Sequence, residues 1–349
     1  MNFYNPVNVI FGNETRSRLF DIISNKKSLL VCSDTGFDRL RKDPILSKIK
    51  SASSDKITVD SSADIRLLSK IVISVDVEFI IAIGGGSVID SAKIIKHLNA
   101  SSADIIALPT TAGTGSEVTP YATGWDYHNK KKIGFNDLYP SVAIVDPELS
   151  WQLPKSVTIS SGLDAINQSF ESIWNVNSNQ ITEILAKRSI KLGIDALQTL
   201  SKSEDADARH NMCLASLLSG ICISQTKTAI CHSMSYPLTV RYDVPHGIAC
   251  AFTMAEVFKF NAEHDDGRLK EVSKIVLEQT ATNDDVYEFI KHFCDTLGVY
   301  KYVKDSVKTK DNLMNLVDDM YTPERAKNNV RNITIDDIQN IIEKSWCAV

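Results

Sequence analysis

The sequence predicts two domains: an α/β domain on a parallel sheet over residues 1–154, then an all-α domain over residues 155–349. Three observations carry this. At 349 residues the chain exceeds what one hydrophobic core usually serves. Up to about residue 150, short β-branched runs alternate with helical patterns, the signature of parallel strands joined by crossover helices. After Pro154 almost every segment is long, amphipathic and helix-forming.

Taken in order, strands are expected at SLLVCSD (28–34), ITVD (57–60), FIIAIGGG (79–86), DIIALPTT (104–111) and SVAIVDP (141–147). Between them ETRSRLFDIISN, ADIRLLSKIVISV and SVIDSAKIIKHLN place apolar residues at the three-and-four spacing of a helix face. The last helix is expected in TIDDIQNIIEKSW, where Thr334 and Asp337 fit a capping box.

The net charge of −5 leaves no basic field for nucleic acid or anionic lipid. The opening MNFYNPVNVIFGNE lacks the pattern of a secretory signal, and no apolar run reaches the ~18 residues that span a bilayer. A cytoplasmic protein with small-molecule partners is therefore expected. Seven cysteines without a CxxC spacing point to reduced, structural thiols.

Gly84, Gly85 and Gly86 separate an apolar strand from the amphipathic helix that begins near Ser87, where backbone N–H groups can bind a pyrophosphate. A bare glycine turn is equally a steric device. A second loop, Pro109 to Glu117, gathers Thr110, Thr111, Thr114 and Ser116 at the next strand end; alone it reads as a helix cap with a turn. Asp34, closing the first predicted strand, is either a solvated turn residue or an acceptor for ribose hydroxyls. As an acceptor it repels a 2′-phosphate, favouring NAD(H) over NADP(H).

Asp164 and Gln168 stand four apart in a predicted helix and share a face. His232 and His246 lie 14 residues apart, which in one straight helix means ~21 Å. Pro237 and Pro245 break or kink that helix, so the chain can fold back and join the imidazoles. Each histidine alone reads as an ordinary core or surface residue. Together with an aspartate they suit Fe2+ or Zn2+ with an open position for a substrate oxygen.

Gly84-Gly85-Gly86-Ser87 with Asp90 and Lys93, the loop TTAGTGSEVT, AIVDPEL, GLDA, and His232 followed by Pro245-His246-Gly247 occur in this order in the iron-containing alcohol dehydrogenases, which the chain resembles over nearly its whole length. The resemblance implies a Rossmann-like dinucleotide domain, a helical domain, a dehydroquinate synthase-like architecture, and a metal in the cleft between the domains. It implies Asp164, His232 and His246 as ligands, with Gln168 where the family has a fourth histidine, a weaker donor through its amide oxygen. Tyr236 stands where the family has a second histidine beside the nicotinamide, so proton relay there would need a phenol or water. Asp90 and Lys132 are implied at the dinucleotide.

Within the family, GLDA followed by Gln168, SMSYPLT and TPYATGWDYHNKKK are most similar to phosphonoacetaldehyde reductases, also called hydroxyethylphosphonate dehydrogenases. A phosphonate needs cationic partners, for which Lys132, Arg241 and His128 are the candidates, each otherwise a surface charge. The implied reaction is hydride transfer between a nicotinamide and a small aldehyde or primary alcohol. Rivals are a general or polyol dehydrogenase, a dehydroquinate synthase-like lyase, and a lapsed nucleotide-binding protein. A homodimer or larger homo-oligomer is also implied, with the sheet edge as the place to look.

Overall fold

The structure, a computed structural model, describes residues 3–49, 53, 55–60, 62–129, 131–277, 279 and 281–348. The chain divides into two compact units, Tyr4–Leu153 and Pro154–Val349.

The first unit runs β1 (Asn8–Phe11), α1 (Arg18–Ile22), β2 (Ser28–Cys32), α2 (Asp34–Leu40), β3 (Asp55–Thr58), α3 (Ile65–Leu68), β4 (Phe79–Gly84), α4 (Gly86–Leu98), β5 (Asp104–Pro109), β6 (Ala122–Asp126), β7 (Lys131–Phe135) and β8 (Val142–Val145). Six strands form one parallel sheet in the order β1-β8-β5-β4-β2-β3. Both faces are covered, as an all-parallel sheet requires. Ile80 and Ala82 of β4 pack with Val88, Ile89 and Ala92 of α4, while Ile81 and Ile83 pack with Leu19 and Leu40 on the other side.

The order places a topological switch between β2 and β4, since the chain leaves β2 toward β3 on one side and returns through β4 to β5 on the other. Ligands of such sheets bind beyond the carboxyl ends of the strands at the switch. The strand pair β4–β5 ends on the register Gly84↔Pro109, and the Thr110 N–H donates to the Gly84 carbonyl at 2.9 Å. The two polar loops therefore leave the sheet level with each other.

Several expectations need correction. The chain's first strand, Asn8–Phe11, and the antiparallel hairpin β6–β7 were not foreseen. The segment 63–75 holds only the four-residue helix Ile65–Leu68; Ile71, Val72 and Ile73 are β-branched and poor at continuing it. Asp34 does not end a strand but is the first residue of α2, behind Ser33, whose Oγ caps the Gly36 N–H at 3.0 Å.

The second unit is helical. It runs through α5 (Lys155–Ile173), α6 (Gln180–Leu200), α7 (Ala206–Thr226), α8 (Ile230–Tyr242) and α9 (His246–Ala262) to shorter helices and the closing helix Ile335–Trp346, which carries the expected Thr334–Asp337 capping box. Helix α5 is buried without interruption from Gly162 to Ile173 and packs against α6, α7 and α9. A helix enclosed all round can keep polar residues only if they are paired or hold a ligand. Among the described residues no single helix is long and apolar enough to cross a membrane.

Candidate functional site

In the helical unit three helices bring four donor side chains together. Asp164 comes from α5, His232 from α8, and His246 and Cys250 from α9; one potential ligand atom of each lies within 4.8 Å of the others. Helix α8 continues through Pro237, so the reversal that joins the histidines is not there. It comes at Asp243, in the left-handed conformation, followed by Pro245 as the residue capping α9. The two imidazole centroids end 5.2 Å apart.

Gly247 is what lets α9 come this close to α5. A Cβ there would overlap the Ser160 carbonyl oxygen and lie 2.9 Å from the Asp164 nitrogen. Asp164 Oδ1 stands 3.3 Å from His232 Nε2 and 3.9 Å from His246 Nε2. Yet Asp164 Oδ1 and His232 Nε2 are buried without a hydrogen bond. Two unsatisfied polar atoms among clustered carboxylate, imidazole and thiol donors fit a divalent metal ion. The Asp164 and His232 side chains are 4% and 5% exposed and that of His246 is 35% exposed, so the cluster opens on the His246 side.

Behind His232 sits Glu171, which the sequence reading missed. Its carboxylate accepts from the N–H groups of Ala229 and Cys231, each at 2.7 Å, and lies 2.8 Å from His232 Nδ1. That contact keeps a proton on Nδ1 and turns Nε2 toward the cluster, where it can lend a lone pair once a metal ion displaces its proton. The signal was present: Asp164, Gln168 and Glu171 follow one helical face at intervals of four and three. Cys250, also missed, lies one turn after His246 on the same helix.

Burial opposes charge at Asp164, but the adjoining His232 and His246 imidazoles prevail and hold its carboxyl below the usual range. Burial alone would also strip His232 of its second proton, whereas Cys250, Glu171 and Asp164 raise its pKa well above the imidazole value. Burial pushes the Cys250 thiol up, and the two imidazoles more than reverse this, bringing it to about 7. The cluster thus favours anionic oxygen and sulfur facing positive charge.

Gln168 is turned differently from expectation. Its Oε1 accepts from Ser219 Oγ at 3.1 Å, and its amide donates to Asp164. Tyr236 stacks on His246, with centroids 6.2 Å apart and planes at 5°. Arg241 does not join the cluster; it is surface-exposed and ion-paired with Asp319.

In the α/β unit, Gly85 and Gly86 face the second polar loop. A Cβ at Gly85 would stand 3.2 Å from Thr111 Oγ1, and one at Gly86 would collide with Thr114. Gly85, the residue before α4, has no side chain to cap the first turn, which starts at Gly86 and includes Ser87. This is a cradle of backbone and hydroxyl groups at a helix N-terminus.

Asp90 is occupied with the protein itself, accepting from Ser116 Oγ at 2.5 Å and from the Thr123 N–H at 2.8 Å. Buried Lys93 donates to the carbonyls of Ser116, Thr119 and Tyr121 at 2.7–2.8 Å, and burial lowers its pKa to about 8. These two residues shape the second loop from behind. Lys132, on β7, adds positive charge near Asp90. Thr110 begins the second loop, Asp34 is exposed beyond β2 at the same sheet end, and His128 is exposed in the β6–β7 turn.

The family model described as iron-containing alcohol dehydrogenase matches residues 6–147, and that for the C-terminal part of the Fe-containing alcohol dehydrogenase family matches residues 158–346. The chain belongs to the iron-containing alcohol dehydrogenase family. Its relatives include alcohol dehydrogenase 4 of Saccharomyces cerevisiae, 29% identical over 341 residues that cover 88% of this chain and 89% of that one. Phosphonoacetaldehyde reductase of Streptomyces viridochromogenes is 33% identical over 207 residues, 52% of each chain. Among solved structures, sulfoacetaldehyde reductase from Bifidobacterium kashiwanohense in complex with NAD+ superposes with a TM-score of 0.89 at 27% identity, covering 99% of this chain and 98% of that one. As a member of the family, this chain is an oxidoreductase with a parallel-sheet domain and a helical domain.

Proposed function

We propose that this iron-containing alcohol dehydrogenase interconverts a small aldehyde bearing a compact anionic group, phosphonate or sulfonate, with its primary alcohol, using NAD(H). The observation that carries the redox assignment is the Asp164–His232–His246 cluster with its two unsatisfied buried atoms. Support for the substrate class comes from the relatives named for phosphonoacetaldehyde and sulfoacetaldehyde.

When bound, an Fe2+ or Zn2+ ion supplies Lewis acidity toward the carbonyl oxygen, and the nicotinamide supplies the hydride. Asp164, His232 and His246 hold the ion. Glu171 keeps His232 in the tautomer whose Nε2 lone pair faces it. Tyr236, stacked on His246, passes a proton to the product oxygen, balancing aldehyde plus NADH plus H+ against alcohol plus NAD+. The Gly84–Gly86 cradle binds the pyrophosphate, with Thr110, Thr111 and Thr114 closing over it. Asp90 and Ser116 hold that loop, and Asp34 accepts from the adenosine ribose. Lys132 is the first choice for the anionic group and His128 the second; Arg241, committed to Asp319, is the third. Cytoplasmic placement and homo-oligomer formation, with β1 and β3 as the sheet edges, belong to the same reading.

The test is nicotinamide absorbance with protein reconstituted with ferrous iron or zinc, offering phosphonoacetaldehyde, sulfoacetaldehyde and propanal with NADH or NADPH. Preference for the anionic aldehydes supports the substrate class. Equal turnover of propanal removes it and leaves a general alcohol dehydrogenase. Turnover that His246→Ala leaves intact removes the metal assignment.

A further inference from the structure

Cys250 is a fourth metal donor in this chain, we infer, so that the ion sits in an Asp-His-His-Cys shell that favours zinc over iron. The inference rests on the metal-enzyme reading above and assigns a ligand that neither sequence motif nor family resemblance supplied.

Its basis is geometric. Cys250 Sγ lies 3.8 Å from His246 Nε2, and the set Asp164, His232, His246 and Cys250 falls within 4.8 Å throughout. Tetrahedral zinc, with its usual bond lengths, sets ligand atoms about 3.3 Å apart for oxygen and nitrogen and about 3.6 Å apart for sulfur and nitrogen. Three of the six separations, 3.3, 3.9 and 3.8 Å, lie near these values and the others stay within 4.8 Å. His246 and Cys250 are one helical turn apart on α9 and project from one face, so a single rigid helix presents both. Cys250 is completely buried. A buried thiol turned toward two imidazoles and a carboxylate, among other cysteines that are not, has the surroundings of a ligand.

Gln168, by contrast, gives its oxygen to Ser219 and a hydrogen bond to Asp164, which is the work of a group that orients a ligand. A thiolate is the softer and stronger donor, and it shifts preference toward zinc.

Cobalt reports sulfur directly. The full-length protein, stripped and titrated with Co(II), is expected to develop a near-ultraviolet thiolate-to-cobalt charge-transfer band saturating at one equivalent. Cys250→Ser should abolish the band and weaken zinc by about tenfold or more, with a smaller loss for ferrous iron. Gln168→Ala should keep the band. The wild-type band is itself a measurement that needs no variant to fold. Stoichiometric cobalt without the band, or a band that survives in Cys250→Ser, overturns the inference alone. Failure of the wild type to bind cobalt, zinc or iron overturns it together with the metal-enzyme reading.

Discussion

Replacing Gly247 by alanine tests how the proposed metal donors are held together. The added Cβ would lie 2.8 Å from the Ser160 carbonyl carbon and 2.9 Å from the Asp164 nitrogen, and would overlap the Ser160 oxygen. Ordinary contact begins near 3.4 Å, so the first two contacts call for a parting of about half an ångström, and the Ser160 oxygen, at 1.8 Å, for about 1.6 Å. His246 adjoins Gly247 and moves with it. Metal ligands tolerate about 0.2 Å, so metal affinity should fall by about 10–100-fold. Two effects compete in stability: helix propensity favours alanine over glycine by up to about 1 kcal/mol, while forced overpacking costs about 1–3 kcal/mol. The backbone collision should win, lowering the melting temperature of the metal-free protein by several degrees. Competitive chelator titration reads the affinity, scanning calorimetry the stability, and NADH titration should be little changed. Gly134→Ala, where a Cβ meets nothing within 4 Å, is the matched control. A Gly247→Ala protein that binds zinc like the wild type and melts no lower would refute the reasoning.

Glu171→Gln keeps the shape but removes the charge behind His232, and should weaken zinc by about 10–100-fold with little change in nicotinamide affinity; unchanged zinc affinity would show that Glu171 does not set the ligand. Arg16 is 4% exposed and its Nη1 lies 2.7 Å from both Asp146 and Glu148, with Nε 3.1 Å from Asp43. Arg16→Met should therefore cost about 3–5 kcal/mol in urea unfolding of the α/β unit, because buried Asp146 is left uncompensated; a loss under about 1 kcal/mol would show that the cluster relaxes. Burial raises the Glu117 carboxyl from 4.5 to about 7. The folded state then keeps a proton that the unfolded chain has lost, so stability is fully present below pH 4.5 and declines as pH rises to 7. The melting temperature of Glu117→Gln relative to wild type should climb across that window, and a flat difference would count against the shift.

Much of the α/β unit was legible because its central strands are continuous apolar runs ending in glycine, proline or polar loops. The predicted 79–86 and 104–111 match strands Phe79–Gly84 and Asp104–Pro109, and the apparent excess is the two polar loops themselves. What escaped was short or two-sided. NVIF is four residues at an edge, and KKIGF opens on two lysines and is interrupted by Gly134, so neither gives a clear period. The apolar spacing of 63–75 misled because it counted β-branched residues; Val72 and Val75 in fact face solvent. In the helical unit the order of motifs pointed to Asp164, His232 and His246, and the fold draws them together. Glu171 was legible on the helical face it shares with Asp164 and Gln168, whereas Cys250 required tertiary structure, since a lone cysteine in a buried helix gives no one-dimensional sign of what it will face.

Among the described residues the edge strand β1 pairs with β8 alone, residue 8 beside residue 142 and residue 11 beside residue 145. During synthesis β1 must therefore wait for the last strand of its sheet, more than 130 residues later. During that interval β4 and β5 can pair, but the far side of β5 stays open until β8 arrives. The growing chain thus passes through a stage with an apolar, unpaired edge, the condition under which nascent proteins aggregate. Arg16 then locks the closure, joining the segment after β1 to Asp146 just beyond β8. Truncation near either end of this unit should for that reason damage solubility during synthesis more than it damages any single contact.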